Sequence, residues 1–286
     1  MDISKIRPGK YEGMSIFRPP LCSELTGKTF HLVMDDGYDY TLCFCSSQYL
    51  TFARVNEAPV HYHYDCLKPE ALTYFVNFEG DMSQHPRTGY TLILDTEQSL
   101  VTLLLAHLGL DPKLPRMPSA ETVFGAILRE DDTLPSIRHG YTTDLVGKAI
   151  DWCYGTFDIV HVYSSERYYR VTFNPEEFQR LMAEQPRPAA PSGSPAHARP
   201  VYEDLAAYIK IKDGVYAVSL LETLLARQNG HGNSLFFLMN LHAMHDVGRS
   251  FGTSAEGTDE NYTFGAFGTD FDAADVLAKP STYYVR

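Results

Sequence analysis

The residues best placed to do chemistry lie in the second half of the chain, where an acid ends an apolar strand. Residues 201–222 read VYEDLAAYIKIKDGVYAVSLLE, a pattern that predicts two strands joined by a tight turn at Asp213-Gly214. Glu222 follows four largely apolar positions. Such a carboxylate lies either at a rim in water or inside with a partner. If it lies inside, desolvation would raise its pKa and let it exchange a proton near neutral pH.

Aromatic side chains upstream could complete a site with Glu222. Trp152 and Tyr154 are two residues apart, so they share one face of a short predicted strand. Tyr154 could then hold a phenolate or enolate oxygen of a substrate, and Glu222 and Tyr154 are candidate catalytic residues. The alternative is that Glu222 caps a rim and the aromatic residues are core. The candidate substrate-binding residues are Trp152, His161, Tyr163, Tyr208, Tyr216 and Phe264.

A second group of candidates follows the pattern His242-x-x-His245-Asp246-x-x-Arg249. His245 beside Asp246 could be an oriented base, and Arg249 could bind an anionic ligand group through two parallel hydrogen bonds. We therefore add His245 and Arg249 to the candidate catalytic residues. The alternative is a buried, salt-bridged turn that closes the domain.

A metal site is a weaker alternative. His61 and His63 share one strand face and could bind zinc, iron or manganese. Glu70 comes seven residues later and no clear fourth ligand follows, so a solvated strand face explains the pair equally well. The chain has no Gly-rich phosphate loop leading into a helix and no Gly-x-Ser-x-Gly motif. We expect no cofactor.

Composition restricts the class of protein and its partners. The 286 residues carry a formal net charge of −12, which argues against a nucleic-acid partner. No apolar signal-peptide core precedes Leu21, and the longest weakly charged run, 99–110, is too short to span a bilayer. The five cysteines include no CxxC pair, which favours reduced thiols in a cytoplasmic protein. A homodimer remains an open alternative.

Short strand patterns follow one another closely through the first half of the chain. After an irregular lead at residues 1–24, about eight short runs of strand-forming residues occupy 25–128, with no long helical period between them. This spacing is typical of an antiparallel barrel or sandwich. A linker is predicted at 129–144. A second unit at 145–268 follows, with a short helix from Asn174 and a Pro-rich loop at 183–200, before a tail at 269–286.

The second unit repeats landmarks of the first in the same order. The tetrapeptide Leu-Val-Gly-Lys at 145–148 matches Leu-Thr-Gly-Lys at 25–28, and the Tyr-rich strands at 208–220 match 64–78. The run YTFGAF at 262–267 matches TVFGAI at 122–127. Ordered matches of this kind indicate an internal duplication.

At these residues the chain resembles the MoaF family, with an N-terminal and a C-terminal module. The most specific piece is NLHAMHDVGR at 240–249 together with Phe264-Gly265. The resemblance implies an all-β fold of two tandem lipocalin-like (calycin) antiparallel barrels. It implies little about chemistry, because the activity of the family is poorly defined.

A more distant likeness is to the phenolic acid decarboxylases, which are cofactor-free lipocalin-like lyases. Gly27-Lys28 and the turn at 35–38 look like the opening of that family, and the strand ending at Glu222 looks like its glutamate strand. Trp152 and Tyr154 stand where that family has a tyrosine pair, whereas the first half has Leu32 and Met34 there. Either Arg170 or Arg180 could match its arginine.

The combined reading is a small-molecule enzyme whose second barrel encloses an aromatic-lined cavity. We expect cofactor-free acid–base chemistry of a lyase, hydratase or isomerase on a small aromatic or polyketide-like metabolite, with Glu222 as the acid or base. Two alternatives remain open: a non-catalytic protein that binds a small hydrophobic ligand, and a metal-dependent enzyme that uses His61 and His63.

Overall fold

The computed structural model describes residues 14–81, 85–155, 157–184, 201–254 and 256–280. The first half of the chain forms a closed barrel in which eight antiparallel strands pair in chain order and the eighth returns to the first. Its strands are β1 Thr29–Met34, β2 Asp39–Phe44, β3 Tyr49–Arg54, β4 Val60–Glu70, β5 Thr73–Glu79, β6 Arg87–Asp95, β7 Leu100–Leu108 and β8 Pro118–Ile127.

The second half forms another antiparallel barrel. Its strands are β9 Gly140–Tyr141, β10 Ala149–Cys153, β11 Asp158–Val162, β12 Tyr168–Thr172, β13 Tyr202–Lys212, β14 Val215–Leu221, β15 Asn233–Asn240, β16 His245–Thr253 and β17 Asp259–Asp270. Pairing of β12 with β13 and of β17 with β10 closes the eight strands β10–β17. The short β9 adds to β13 beside Ile209 and Lys210. The predicted all-β fold of two tandem barrels is confirmed.

Within the described ranges, the second barrel is accompanied by the helices α1 Pro175–Glu184, α2 Thr223–Asn229 and α3 Ala274–Leu277. The side chain of Asn174 accepts a hydrogen bond from the Glu177 amide (2.8 Å), so it caps the start of α1 as its sequence indicates. None of the helices in the described ranges is long and apolar enough to cross a bilayer. The Pro-rich loop lies outside the described residues from 185 to 200.

The repeated tetrapeptides adopt the same turn. Gly27 and Gly147 both have positive φ, +80° and +87°, a conformation that favours glycine. The Gly27 amide donates to the Phe44 carbonyl and the Gly147 amide to the Tyr163 carbonyl, both at 2.8 Å. The leucine that opens each tetrapeptide is fully buried. The same local sequence therefore starts both barrels, which supports their origin by duplication.

The last sequence match needs a correction of one residue. Strand pairing joins Leu32 to Ile127 and Trp152 to Gly268, so structurally equivalent residues of β8 and β17 are 141 apart instead of the 140 that the FGA motif indicates. A shift of one residue exchanges the two faces of a strand. Phe264 consequently faces the barrel interior, whereas Phe124 packs outside against Tyr141 (centroids 5.3 Å apart).

The outer faces of the two barrels pack against each other through an apolar cluster. It combines residues of β4–β7 with residues of β13–β16: Leu67, Phe75, Ile93, Leu104, Ala106, Leu108, Ile209, Ile211, Val215, Ala217, Phe236, Leu238, Val247 and Phe251. All of these side chains are buried. Burial of this much apolar surface joins the two barrels by the hydrophobic effect.

Candidate functional site

The interior of the second barrel contains a cavity of about 320 Å³. Its lining is mostly apolar and rich in aromatic rings, among them Tyr154, Phe157, Tyr169, Phe237, Tyr262 and Phe264. Leu224 and Leu225 of α2 contribute to the wall, and so does Met14, which lies far from the second barrel in sequence. A volume of this size, with a few polar groups in an apolar wall, is at the small end of ligand-binding pockets.

Smaller side chains at equivalent positions explain why the second barrel is hollow. In the first barrel, rings of Phe52, Phe78 and Tyr90 pack together, with Phe78 and Tyr90 stacked 5.0 Å apart. Tyr40 stacks on Phe52 at 4.7 Å. By strand register, these four rings correspond to aliphatic residues of the second barrel, namely Ile159, Val171, Leu220 and Leu235.

Glu222 lies in the cavity wall, at the point where β14 ends and α2 begins. Its Oε2 accepts hydrogen bonds from the amide N–H of Asn233 (3.0 Å) and from Asn233 Nδ2 (2.9 Å). The side chain is half-buried. Two donors on one oxygen hold the carboxylate in place and leave Oε1 for other contacts.

A second acid, Asp204 on β13, also lines the cavity and is buried. Its carboxylate accepts hydrogen bonds from the Thr223 hydroxyl (2.6 Å), the Leu224 amide (2.7 Å) and the Leu205 amide (2.8 Å). Desolvation raises the pKa of Asp204 to about 6, against the effect of these hydrogen bonds, and the charge of Glu222 adds to the increase. Two neighbouring carboxyl groups therefore lie at this end of the cavity.

The negative charge of these acids affects the pKa values of two tyrosines. Burial raises the pKa of Tyr169 well above its usual value, and the negative charges of Asp204 and Glu222 raise it further. Burial also raises the pKa of Tyr262, with a smaller contribution from Glu222. Both phenols therefore stay protonated at neutral pH and can donate a hydrogen bond to a ligand.

His161 lines the cavity as predicted, but in a form that does not carry charge. Its ring is edge-on to Tyr169 (centroids 6.0 Å apart) and to Phe237 (5.6 Å). Desolvation lowers the pKa of His161 to about 4, so the imidazole is neutral at physiological pH. It can accept or donate a hydrogen bond but does not attract an anion.

Tyr154 also lines the cavity, and it contacts an acid deeper in the barrel. Its hydroxyl lies 3.5 Å from Oδ2 of Asp246, and both side chains are fully buried. Burial raises the pKa of both groups well above their usual values. Burial thus favours the uncharged form of each group.

Four of the predicted substrate-binding residues belong to the interior of the same barrel but do not line the cavity. Trp152 Nε1 donates to the Tyr163 hydroxyl oxygen (3.4 Å), and that hydroxyl donates to the sulfur of Met239 (3.2 Å). Tyr208 donates to the Tyr168 carbonyl (2.7 Å). Tyr216, the fourth, donates to Asp144 (3.1 Å) at the surface. Phe264, in contrast, lines the cavity as predicted.

His245 is on the outer face of β16, because strand alternation directs Asp246 inward. Its Nε2 lies 3.1 Å from the Phe17 carbonyl, and its ring packs on Phe267 (centroids 4.7 Å apart). The two residues therefore face opposite sides of the strand. This geometry contradicts the expectation that Asp246 orients His245 as a base in the cavity.

Arg249 lies between the two barrels and not in the cavity. Its guanidinium donates to the carbonyls of Tyr90 (2.7 Å) and Phe78 (3.0 Å) in the first barrel, and to Oδ1 of Asn261 (2.9 Å). Burial lowers the pKa of Arg249 to about 10, so the group remains charged at neutral pH. The expectation that Arg249 binds an anionic ligand is replaced by a role in joining the barrels.

The remaining arginine and histidine candidates are also outside the cavity. Arg170 pairs with Glu203 (2.9 Å) and donates to the carbonyl of Val276 in α3 (2.6 Å). His61 and His63 are exposed on β4, and His63 packs edge-on against Tyr49. Within the ranges that the structure describes, no three His, Cys, Asp or Glu side chains are grouped to hold a metal ion. Among the described residues, His61 and His63 therefore have no third side chain grouped with them as a metal ligand.

Sequence reasoning missed Asp204, Tyr169 and Asn233, and it gave Asp246 the wrong role. A signal for Asp204 was present: it lies four residues before Tyr208 and therefore shares the face of an inward aromatic residue. No comparable signal marks Asn233, because its contact with Glu222 depends on how α2 returns the chain to β15.

Two closed barrels, one of them hollow and aromatic-lined, define the chain as a barrel protein of the small-molecule-binding class. The family model described as the MoaF N-terminal domain matches residues 11–109, a range that covers β1–β7. This part of the chain is thus similar to the MoaF N-terminal domain. No curated protein sequence matches the chain at a significant level. Of Trp152 and Tyr154, Tyr154 lines the cavity and Trp152 does not.

Proposed function

We propose that the second barrel binds a small aromatic or polyketide-like metabolite and moves a proton on it by cofactor-free acid–base chemistry. The observation that carries this proposal is the pair of neighbouring carboxyl groups, Asp204 and Glu222, in the wall of an aromatic-lined cavity. Burial raises the pKa of Asp204 to about 6, and a carboxyl group in such an environment is typical of sites that transfer protons near neutral pH.

Glu222 is the better of the two acids for contact with a substrate. Both oxygens of Asp204 already accept hydrogen bonds from the protein, whereas the hydrogen bonds of Glu222 end on Oε2 alone. Glu222 Oε1 can therefore take a proton from a substrate carbon next to a carbonyl and return it to another atom of the same substrate. Asp204 acts as a positioning residue, because it anchors Thr223 and Leu224, which follow Glu222 directly.

The aromatic wall supplies the other requirements of the reaction. Neutral phenols such as Tyr169 can donate a hydrogen bond to the oxygen on which charge develops when the proton leaves. The apolar rings exclude water, which strengthens these interactions. The isomerase, hydratase and lyase reactions that we expect each include a proton transfer at a carbon next to a carbonyl, and they differ in its direction and in the other steps.

Carbon-bound hydrogen exchange provides a test that does not require the natural substrate. The protein is incubated in D₂O with a panel of small aromatic ketones and enones, and incorporation of deuterium at carbon is followed by NMR. We expect catalysed exchange with the wild-type protein, reduced roughly a hundredfold or more in Glu222→Gln. Glu166→Gln is the matched control, because Glu166 is exposed and outside this cavity. Unchanged exchange in Glu222→Gln would remove Glu222 from the mechanism.

A non-catalytic binding protein is the second candidate. The observation in its favour is that Asp204 and Oε2 of Glu222 are already occupied by protein donors, as in a rigid pocket built to hold a ligand. This candidate predicts tight binding without exchange of carbon-bound hydrogen, and ligand recovered chemically unchanged after long incubation.

A further inference from the structure

Asp246 combines full burial with an unused hydrogen-bonding oxygen. Its side chain has no solvent exposure, Oδ1 has no partner that meets hydrogen-bond geometry, and the nearby Ala266 amide offsets the effect of burial only in part. Its neighbours in the barrel interior include Tyr154, and none of the ion pairs formed by the described residues includes Asp246. A buried carboxylate without a cation is strongly unfavourable, so the acid exists in its neutral, protonated form.

A protonated Asp246 changes what Tyr154 can do. The carboxylic acid O–H can donate to the Tyr154 oxygen, whose distance to Oδ2 is 3.5 Å. The hydroxyl hydrogen of Tyr154 is then available to the cavity that its ring lines. A hydrogen bond received by a hydroxyl makes that hydroxyl a better donor, because each bond in such a chain polarises the next.

We propose that Tyr154 and Asp246 form a subsite for a carbonyl, enol or phenol oxygen of the ligand, in which Tyr154 donates to that oxygen and Asp246 is the positioning residue behind it. The inference rests on the proposed function only in placing the ligand in the same cavity. It deepens that function by naming the chemical class of the ligand.

The strand register places this subsite away from the two acids. Asp246 pairs with Met239, near one end of β15 and β16, whereas Asn233, the partner of Glu222, pairs with Gly252 near the other end. A ligand that meets both groups therefore carries an oxygen on one side of an apolar body and an acidic carbon on the other. Negative charge that develops on the oxygen is stabilised by two neutral donors in series, without a metal or a cationic side chain.

Binding of 4-nitrophenol tests the subsite independently of turnover, because its absorbance reports both binding and ionisation. We expect wild-type protein to bind it and to lower its apparent pKa. Tyr154→Phe should weaken binding roughly tenfold or more, as should Asp246→Ala. Asp246→Asn keeps a neutral donor and should restore binding to near the wild-type affinity. Tyr163→Phe is the control, because it removes a buried hydroxyl of the same barrel that does not line the cavity.

The protonation state of Asp246 is measured separately. The infrared difference spectrum of wild type minus Asp246→Asn at pH 7 should contain the carbonyl stretch of a protonated carboxylic acid. A carboxylate signal instead, wild-type affinity in Tyr154→Phe, or no binding by the wild-type protein would each overturn the subsite. Unchanged hydrogen exchange in Glu222→Gln, with the expected 4-nitrophenol binding and infrared spectra, would reject the proposed function and leave the subsite standing. The two proposals can therefore fail separately.

Discussion

The two barrels share one frame and differ in what fills it. At four equivalent inward positions the first barrel has packed aromatic rings and the second has aliphatic side chains, and the interior of the second barrel contains the aromatic-lined cavity described above. The polar residues of the site also differ from the residues at the equivalent positions of the first barrel. By strand register, Asp204 corresponds to Tyr62 of the first barrel, and Asp246 corresponds to Val101. Tyr154 corresponds to Met34, because they lie two residues after the equivalent positions Trp152 and Leu32.

This difference teaches that a duplicated fold can keep one copy for stability and open the other for a ligand. Smaller side chains at these four positions leave room for the cavity, and two acids line it. The apolar interface and Arg249 then hold the hollow barrel against the filled one. Four predictions test whether the two barrels divide these roles.

The largest effect is expected at the contact between the barrels. Arg249→Leu introduces the residue type of its register equivalent, Leu104, and removes the guanidinium hydrogen bonds to the carbonyls of Tyr90 and Phe78 and to Asn261. We expect the free energy of unfolding to fall by roughly 3–5 kcal/mol in urea titrations. Arg167→Leu, at an exposed position of the second barrel, should change it by less than about 0.5 kcal/mol. Equal effects of the two variants would contradict a joining role for Arg249.

The next largest effect is expected when larger side chains fill the cavity of the second barrel. Replacing Ile159, Val171 and Leu235 by Tyr, Phe and Tyr gives the second barrel the side chains of the first. The new rings should occupy the cavity and weaken 4-nitrophenol binding by on the order of a hundredfold, a loss of about 2.7 kcal/mol. Isothermal titration measures the affinity, and circular dichroism checks the fold. Undiminished binding in a folded triple variant would mean that the ligand binds elsewhere.

The reverse change, from an aromatic to an aliphatic side chain, should lower the stability of the first barrel. Phe52→Val removes a ring that packs against Tyr40, Phe78 and Tyr90, and we expect a loss of roughly 2 kcal/mol in the free energy of unfolding. At the equivalent position of the second barrel, Val171→Ala borders an existing cavity and should cost less. Thermal and urea unfolding measure both. A smaller loss for Phe52→Val than for Val171→Ala would refute the idea that the first barrel is the filled one.

The smallest effect is a pH dependence that the second barrel alone should show. Because the pKa of Asp204 is raised to about 6, the folded state holds its proton more tightly than the unfolded state. Its contribution to stability is therefore present at pH 4 and lost as the pH rises through about 6, a change of about 1–2 kcal/mol.

The measurement is the difference between wild type and Asp204→Asn across this pH range, because other carboxyl groups contribute in both proteins. Asp95 in the first barrel, whose pKa is lowered despite burial by the His139 ring 3.9 Å away and by hydrogen bonds from Gln98, provides the contrast. Its contribution is present at neutral pH and lost on acidification. A difference curve for Asp204→Asn that is flat or rises with pH would contradict the assigned pKa.

Much of the fold could be predicted, because it follows from local patterns. The Asp213-Gly214 hairpin forms as expected between β13 and β14, with Gly214 at φ +68°. The paired Gly-Lys turns, the alternation of apolar residues and the repeated order of strands were sufficient to predict two antiparallel barrels. The site was less predictable: Glu222, Tyr154, His161 and Phe264 line the cavity, whereas His245 and Arg249 do not.

The errors have one physical origin. On a strand, moving by one residue reverses the direction of the side chain, so His245, Asp246 and Arg249 could not all serve one cavity. Asp246 is inward, while Arg249 is on the opposite face and contacts the other barrel. Which face is inward depends on the register with neighbouring strands, and that register is a property of the closed barrel.

Local sequence decided where strands begin, where turns need glycine, and that the unit occurs twice, because those features depend on backbone preferences and on spacing along the chain. Tertiary packing decided which barrel is hollow, which acids meet inside it, and that Arg249 joins the barrels. These outcomes depend on the volumes and directions of side chains from strands far apart in the chain, which come together only when each barrel closes.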